Sequence, residues 1–408
     1  MRRSSSLLTR LAGVAAGVVL AAAAVLVAAL PAQAATLTQV TGFGSNPGNL
    51  AMYAYRPDGL PANSPAVVLL HGCTQNASTY FTNSGWQKYA DLWKFALIVP
   101  QQPSANNANS CFNWFETGDT ARGQGEALSV KQMVDYAKAN YSVDGSRVFV
   151  SGLSGGGAMS AVMLATYPDV FAAGSVVAGL PYRCATSMTN AFTCMNPGVD
   201  KTPAQWGDLV RNAYAGYTGK RPRVAIWHGT SDTTVAPLNA AESRDQWTNV
   251  LGVSQTPTST ASLPAGTSLE VYGSDQVRLY RVSGMGHGTP VDPGSATDQC
   301  GTAGAYFLDT ICSTYRDALF FGLDGGGTPS PTPTATASPT PTPTPTASPT
   351  SAPVCVTASN YAHVTAGRAY QSGGYAYALG SNQRMGLYNT FYTSTLKQTG
   401  PSYWVIGC

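Results

Sequence analysis

A serine flanked by glycines is the residue in this sequence best suited to nucleophilic chemistry. Residues 152–156 read GLSGG and fit the pattern G-x-S-x-G around Ser154. An apolar run at residues 147–151 predicts a strand before it, and residues 158–166 predict a helix after it. A turn between such a strand and helix presents the serine hydroxyl at the strand's end, above the helix N-terminus. The alternative is a chance pattern in a chain with 43 glycines, and the flanking elements favour the nucleophile.

A serine nucleophile needs a base, and the four histidines of the chain differ in their suitability. In hydrolases with this serine motif, the acid and then the histidine follow the serine. His71 precedes the serine, and His363 lies beyond a Pro-rich segment near the C-terminus. His228 precedes the best candidate for the acid. We therefore predict that His287, in the loop after a predicted strand at residues 277–282, is the base rather than an ordinary surface histidine.

The base needs an acid that holds its tautomer and stabilises the imidazolium. Eight carboxylates lie between the serine and His287: Asp169, Asp200, Asp208, Asp232, Glu242, Asp245, Glu270 and Asp275. Only Asp232 follows a predicted buried strand, at residues 224–227, by a few residues, so it could reach a histidine on the next strand. Its sequence context, SDTT, is also typical of a turn or a helix cap. We predict the catalytic role for Asp232.

The negative charge that develops on an ester carbonyl needs backbone N–H donors close to the serine. Gly155, directly after the serine, supplies one of them. We predict that the N–H of Cys73, in the loop LHGCTQ after the predicted strand at residues 66–70, is the second. His71 and Gly72 would shape this oxyanion loop, and a Cys73–Cys111 disulfide would fix it. A structural role for His71, bonded to its own loop, is compatible with that function.

The elements that must position these residues alternate between strands and helices. Mostly apolar runs predict seven strands, at residues 52–55, 66–70, 96–100, 147–151, 174–178, 224–227 and 277–282. Helices are predicted at residues 127–140 and 158–166. This alternation predicts the α/β fold class, with a doubly wound and mostly parallel sheet.

Eight cysteines indicate an oxidising compartment and four disulfides. Their pairing is open in principle, because eight cysteines allow many combinations. Spacing favours four pairs, the last of them by elimination: Cys355–Cys408, Cys300–Cys312, Cys184–Cys194 and Cys73–Cys111. Neither a CxxC nor an HxxxH spacing occurs, so we predict no metal site and no cofactor.

Composition divides the chain into four segments. Residues 1–34 combine basic residues, an apolar run and an A-x-A site, which predicts a secretory signal peptide rather than a retained membrane anchor. Residues 35–325 contain the predicted catalytic domain. Residues 326–353 are almost entirely Pro, Thr, Ser, Ala and Gly, as in an extended linker. Residues 354–408 are predicted to form a small, disulfide-closed, β-rich module.

The charge balance argues against a nucleic-acid partner. The chain has 23 Lys and Arg against 20 Asp and Glu, and removal of the three arginines in the predicted leader leaves 20 against 20. Nucleic-acid binding requires a surplus of basic residues. We therefore expect no nucleic-acid partner. From the predicted signal peptide we expect a secreted, extracellular protein with no membrane association once that peptide is cleaved. We also expect a monomer.

Several segments together resemble secreted polyhydroxybutyrate depolymerases, a family related to feruloyl and acetylxylan esterases. They read LHGCTQ, CFNWF, SGLSGGGAMS and WHGTSDTTV, and the resemblance covers residues 36–323. It implies an α/β-hydrolase domain with Ser154, Asp232 and His287 as the triad and His71 in the oxyanion loop. It also implies extracellular hydrolysis of a short-chain polyester. The C-terminal segment is similar to small modules on such esterases, although a Thr-Pro linker replaces the fibronectin-like linker often found there.

The sequence leaves two ester substrates open. An insoluble polyester such as poly(3-hydroxybutyrate) is preferred, and feruloyl or acetyl esters of cell-wall polysaccharide are the alternative. A non-catalytic surface-binding protein is disfavoured because every predicted catalytic position is filled. Trp114, in CFNWF, is predicted to line the substrate cleft, with a core position as the alternative. Residues 354–408 hold nine aromatic side chains, most of which we expect to form the core of the module.

Overall fold

The computed structural model describes residues 35–325, 355–372, 374–400 and 403–407. The predicted signal peptide and the predicted linker therefore lie outside the described residues. The chain separates into two compact units, with the boundary after Thr332. No helix in the described part of the chain is long and apolar enough to cross a bilayer.

The described residues of the first unit build a ten-stranded sheet. Its strands are β1 (Thr38–Val40), β2 (Ala51–Tyr55), β3 (Ser64–Leu70), β4 (Ala96–Gln101), β5 (Val143–Leu153), β6 (Ala173–Val177), β7 (Arg223–Gly229), β8 (Ser259–Leu263), β9 (Thr267–Tyr272) and β10 (Val277–Val282). They lie in the order β1-β2-β4-β3-β5-β6-β7-β10-β9-β8. The six central strands, from β4 to β10 in that order, pair in parallel, whereas the strands on either side pair antiparallel. Two short strands, β11 (Thr289–Val291) and β12 (Phe307–Asp309), form a separate parallel pair.

Helices cover both faces of this sheet. They are α1 (Ala77–Asn83), α2 (Trp86–Trp93), α3 (Gly125–Asn140), α4 (Gly155–Thr166), α5 (Met188–Met195), α6 (Pro203–Ala213), α7 (Leu238–Leu251) and α8 (Ser313–Phe321). Successive residues of β3 alternate between two cores. Val68 packs in the core that contains α3 and α4, and Val67 packs in the core that contains α1 and α2. The strand is buried on both faces, which explains its unbroken apolar run.

The predicted fold class is confirmed. All seven predicted strands and both predicted helices are present, with ends that differ by a few residues. The edge strands β1 and β8 and the strand β9 beside β8 were not predicted, and β8 shows why. Its residues STASL are largely exposed and carry no apolar pattern. Helix α4 lies at the opposite extreme, because all twelve of its residues are buried.

The second unit is built from two small antiparallel sheets. Its elements are β13 (Cys355–Ser359), α9 (Asn360–Thr365), β14 (Ala369–Ser372), β15 (Tyr375–Ala378), β16 (Arg384–Leu387), β17 (Thr393–Gly400) and β18 (Tyr403–Ile406). Strands β13, β17 and β18 form one sheet, and β14, β15 and β16 form the other. Cys355 is disulfide-bonded, whereas Cys408, its predicted partner, lies outside the described residues.

The expectation that most of the nine aromatic side chains lie in this unit's core is wrong. Trp404 is the aromatic residue buried there, and it packs with Ala369, Ala376, Ala378, Met385 and Leu396. Five of the nine aromatics are exposed instead: Tyr361, Tyr370, Phe391, Tyr392 and Tyr403. In β15 the residues alternate, so that the alanines point inward and the tyrosines point outward. The unit therefore presents aromatic side chains to the solvent.

Candidate active site

Ser154 lies in a sharp turn between β5 and α4. Its backbone has φ +56° and ψ −117°, in the region that favours glycine, and its N–H donates to Val177 O at 2.8 Å. The flanking glycines are required by space. A Cβ on Gly152 would lie 2.4 Å from Gly156 O, and one on Gly156 would lie 2.1 Å from Leu70 O. The turn thus holds the serine hydroxyl at the carboxyl end of the sheet, at a cost in backbone strain of about 1–3 kcal/mol.

Three predicted side chains form one hydrogen-bonded series. His287 Nε2 lies 2.9 Å from Ser154 Oγ, and His287 Nδ1 lies 2.7 Å from Asp232 Oδ2. Asp232 follows β7 and His287 follows β10, and these strands are parallel neighbours in the sheet. The carboxyl ends of the two strands therefore bring residues 55 positions apart into contact.

Asp232 is held as a carboxylate. Its side chain is buried, which by itself would raise its pKa, but hydrogen bonds from His228 and His287 outweigh the burial and hold the pKa well below its ordinary value. Its Oδ1 also accepts from the N–H groups of Thr234 and Val235, each at 2.9 Å. Because a carboxylate only accepts, His287 Nδ1 carries the hydrogen and Nε2 is free to accept one.

His228 lies next to Asp232, and no role was predicted for it from the sequence after it was rejected as the base. Its Nε2 donates to Val235 O at 2.8 Å and lies 3.4 Å from Asp232 Oδ2. Its single Nε2–H thus fixes the turn that carries Asp232 and lies beside the carboxylate. Its Nδ1 is buried and has no hydrogen-bond partner among the described residues. The signal in the sequence was its position at the end of β7, four residues before the acid.

The predicted oxyanion loop lies against the serine. A Cβ on Gly155 would lie 3.0 Å from Cys73 Sγ. The two residues whose N–H groups are the predicted donors are therefore close in space. The predicted Cys73–Cys111 disulfide is confirmed, as are Cys184–Cys194 and Cys300–Cys312. Gly72 N–H donates to Gln75 Oε1 at 2.9 Å, which closes the loop on itself.

His71 is buried and holds this loop through two hydrogen bonds to backbone groups. Burial lowers its pKa to about 4, so the ring is neutral at physiological pH. Its Nε2 accepts from the backbone N–H of Gln102 at 3.1 Å, so Nδ1 carries the hydrogen and donates to Gly72 O at 2.8 Å. Both nitrogens are therefore engaged in holding the backbone that precedes Cys73.

Two cavities flank Ser154. The larger, with a volume of about 260 Å³, is mostly apolar and is lined by Trp114, Phe115, Leu180 and Phe192 among others. Trp114 is 6 % exposed, so it both lines the cleft and packs in the core. The smaller cavity, about 130 Å³, lies on the side of His287 and Tyr306. A separate groove of about 860 Å³ contains none of the predicted site residues.

The part of the chain described by the structure contains no group of three His, Cys, Asp or Glu side chains that could hold a metal ion. The site holds a serine, a histidine and a carboxylate in hydrogen-bond contact. This arrangement can activate a hydroxyl nucleophile toward a carbonyl carbon.

Comparison with known proteins gives one consistent result. The family model described as "Esterase PHB depolymerase" matches residues 49–270. Poly(3-hydroxyalkanoate) depolymerase C of Paucimonas lemoignei is 56% identical over 309 residues, which are 74% of each chain. Feruloyl esterase B of Thermothelomyces thermophilus is 41% identical over 267 residues, 64% of this chain and 90% of that one. Among solved structures, an acetyl xylan esterase from Aspergillus awamori matches 71% of this chain and 99% of its own, with 31% identity and a TM-score of 0.61.

Proposed function

The chain belongs to the esterase PHB depolymerase family and is a carboxylic ester hydrolase, and we propose that it degrades an insoluble short-chain polyester such as poly(3-hydroxybutyrate) outside the cell. The sequence resemblance to this family is thereby confirmed. The apolar rim of the larger cavity favours a polyester over a polysaccharide ester as the substrate. The three disulfides of the first unit support an oxidising, extracellular setting.

The proposed mechanism uses Ser154 as the nucleophile. Its Oγ attacks the ester carbonyl while its proton passes to His287 Nε2, and Asp232 stabilises the imidazolium. The N–H groups of Cys73 and Gly155 receive the oxyanion. The bond to the alcohol then breaks as His287 protonates the leaving oxygen. Water, deprotonated by His287, attacks the acyl-enzyme and releases the acid and the free serine.

The mechanism assigns the two cavities to the two halves of the ester. His287 must protonate the leaving alcohol, so the alcohol belongs in the smaller cavity on the histidine side. The acyl group then occupies the larger, apolar cavity between Trp114 and Phe192. In a polyester the units on both sides of the cleaved bond are short hydroxyacyl units, and these suit two cavities of limited volume.

The rim of the acyl cavity favours an apolar polymer. Met188 is 46 % exposed and Phe192 is 65 % exposed, and both lie on α5, which the Cys184–Cys194 disulfide ties to its preceding loop. These two side chains line the same cavity, and a contiguous apolar patch on a surface is typical of a binding site, unlike single exposed apolar residues. A polyester surface can bury these side chains, whereas a hydrated polysaccharide offers them little apolar area.

The second candidate is a feruloyl or acetylxylan esterase. The identity of 41% to a feruloyl esterase supports it, and the acyl cavity of about 260 Å³ has room for an aromatic acyl group. The test is to measure the clearing of a poly(3-hydroxybutyrate) suspension beside the release of ferulate and acetate from xylan. Release from xylan without clearing would contradict the polyester proposal.

The α5 rim gives a separate prediction. We expect Phe192→Ser to lower activity on suspended polyester about tenfold, because the lost apolar contact is worth about 1–2 kcal/mol. Hydrolysis of the small soluble ester p-nitrophenyl acetate should change less than about twofold. Leu92→Ser is the matched control, since Leu92 is 53 % exposed on α2 and lines neither cavity. Equal effects of the two substitutions on polymer activity would contradict a binding role for the rim.

We also propose that residues 354–408 form a substrate-binding module, joined to the catalytic domain (residues 35–325) by the linker at residues 326–353. Its exposed aromatics, with Phe391 at 89 % exposure, support adsorption to a polymer surface. Because two linked sites raise each other's effective concentration, the module would retain the enzyme on an insoluble substrate.

Deletion of the module tests this proposal. A chain that ends at residue 325 keeps all proposed catalytic residues and the three disulfides of the first unit. We expect it to hydrolyse a soluble ester at an unchanged rate and to degrade suspended polymer at least about tenfold more slowly. Sedimentation of the protein with the polymer measures the binding directly. Equal losses on soluble and insoluble substrates would show that the module belongs to the catalytic fold.

A further inference from the structure

Glu126 is a buried charged residue that the proposed mechanism does not use. It lies in the first turn of α3 and is 0 % exposed. Glutamate is almost never fully buried unless its charge is compensated. The helix N-terminus supplies part of that compensation, since its dipole favours an anion.

Two donors from different segments complete the environment of this carboxylate. Oε1 accepts from Gln102 Nε2, and Oε2 accepts from the backbone N–H of Asn113 at 2.8 Å. Burial, together with the charge of Asp119, raises the pKa of Glu126 to about 8, and these two donors act in the opposite direction. Above that pKa both oxygens accept and both bonds form, whereas a protonated carboxyl would turn one acceptor into a donor that faces another donor.

Hydrogen bonds lead from this carboxylate to the oxyanion loop. The backbone N–H of Gln102 donates to His71, whose other nitrogen donates to Gly72 O, directly before Cys73. Gln102 Nε2 also donates to Cys111 O at 3.0 Å, and Cys111 is disulfide-bonded to Cys73. Both routes end at the residue whose N–H we assign to the oxyanion hole.

The second donor fixes a segment that forms part of the wall of the acyl cavity. Asn113 lies between Phe112, which contacts the His71 ring at 4.9 Å between ring centroids, and Trp114, which lines the cavity. A single carboxylate thus bonds the segment that supports the oxyanion loop and the segment that carries the cavity wall.

We propose that Glu126 is a positioning residue for ester hydrolysis, which holds the Cys73 N–H in line with the oxyanion through Gln102 and His71. This proposal rests on the proposed function, because it takes Cys73 as an oxyanion donor. Glu126 acts through other residues, so its loss should weaken transition-state stabilisation more than substrate binding.

The test is Glu126→Gln, which keeps the size of the side chain but places an NH₂ group against a donor. At about pH 9, above the pKa of Glu126, we expect kcat for p-nitrophenyl butyrate to fall about 10- to 100-fold while KM changes less than about threefold. This is somewhat less than the loss of a whole oxyanion donor. The inhibition constant of an alkyl boronic acid, whose tetrahedral serine adduct places an oxygen in the oxyanion hole, should rise by a similar factor. A purely structural role would lower the melting temperature and leave both quantities unchanged.

Glu242→Gln is the matched control. Glu242 is 5 % exposed and also accepts from two donors, Trp206 Nε1 and Lys201 N. We expect this variant to lose thermal stability but to keep the wild-type kcat and boronate inhibition constant. The same fall in kcat for both glutamates would overturn the proposal.

Gln102→Met provides a milder variant should Glu126→Gln fail to fold. It removes the side-chain donor to Glu126 and Cys111 and keeps the backbone N–H that bonds His71. We expect kcat to fall about tenfold with the same rise in the boronate constant. An unchanged kcat in this variant would overturn the proposal. Failure of the proposed function would show differently, as full activity of Ser154→Ala.

Discussion

Ser154→Ala is expected to abolish ester hydrolysis, with a fall in kcat of about 10⁶-fold, the size of loss known for removal of the nucleophile in other serine hydrolases. The side chain makes one hydrogen bond, to His287, and alanine retains the Cβ that the positive φ already tolerates. The fold should therefore persist, with a melting temperature within a few degrees of the wild type. Activity on p-nitrophenyl butyrate and on suspended polyester measures the effect.

The control is Ser160→Ala, on helix α4, which follows Ser154. Ser160 is buried, and its hydroxyl donates to Gly156 O at 2.9 Å, so its loss removes a hydrogen bond without touching the nucleophile. We expect this variant to keep most of its activity. A fluorophosphonate probe should label the wild type and Ser160→Ala but not Ser154→Ala. Appreciable turnover by Ser154→Ala would contradict the proposed mechanism.

The positions of the proposed triad were predictable because parallel strands carry two kinds of signal. Their buried residues form apolar runs, and their carboxyl ends meet at one edge of the sheet. Asp232 and His287 each follow such a run, at β7 and β10. The order of residues after the serine then left few choices for the base and the acid.

The supporting residues were not predictable in the same way. Gln102, Asn113 and Glu126 come from a strand end, a loop and a helix, and only the tertiary fold brings them together. Nothing in their spacing marks them. An acidic residue in the first turn of a helix is common, because it is stabilised by the helix dipole. From the sequence Glu126 would therefore be expected at the surface.

The C-terminal unit shows a different kind of error. Aromatic residues were expected inside because of their large apolar area, yet Ala376 and Ala378 occupy the inner face of β15 and Tyr375 and Tyr377 the outer face. Strand alternation fixes that the two sets lie on opposite faces but does not fix which face is buried.

Asp232→Asn is expected to lower kcat about 10⁴-fold through a change of tautomer in His287. The Oδ1 of Asp232 accepts from two backbone N–H groups, those of Thr234 and Val235. An asparagine must place its carbonyl oxygen at this position, because its NH₂ group would face two donors there. The NH₂ then faces His287 Nδ1, which can only accept, so the ring hydrogen moves to Nε2. A protonated Nε2 cannot take the proton of Ser154. The serine is then no longer activated, although its side chain and that of His287 are in place.

Asp317→Asn separates this effect from the loss of a buried carboxyl in general. Asp317 is 1 % exposed and accepts from Trp227 Nε1 at 2.8 Å, and burial raises its pKa to about 7. Asp317 lines neither cavity beside Ser154, so its replacement should leave kcat within about threefold, with a loss of stability of about 1 kcal/mol. The ring tautomer of His287 can be read from nitrogen chemical shifts in both variants. If His287 kept its hydrogen on Nδ1 in Asp232→Asn, the change of tautomer would not explain the loss of activity, and the prediction would be contradicted.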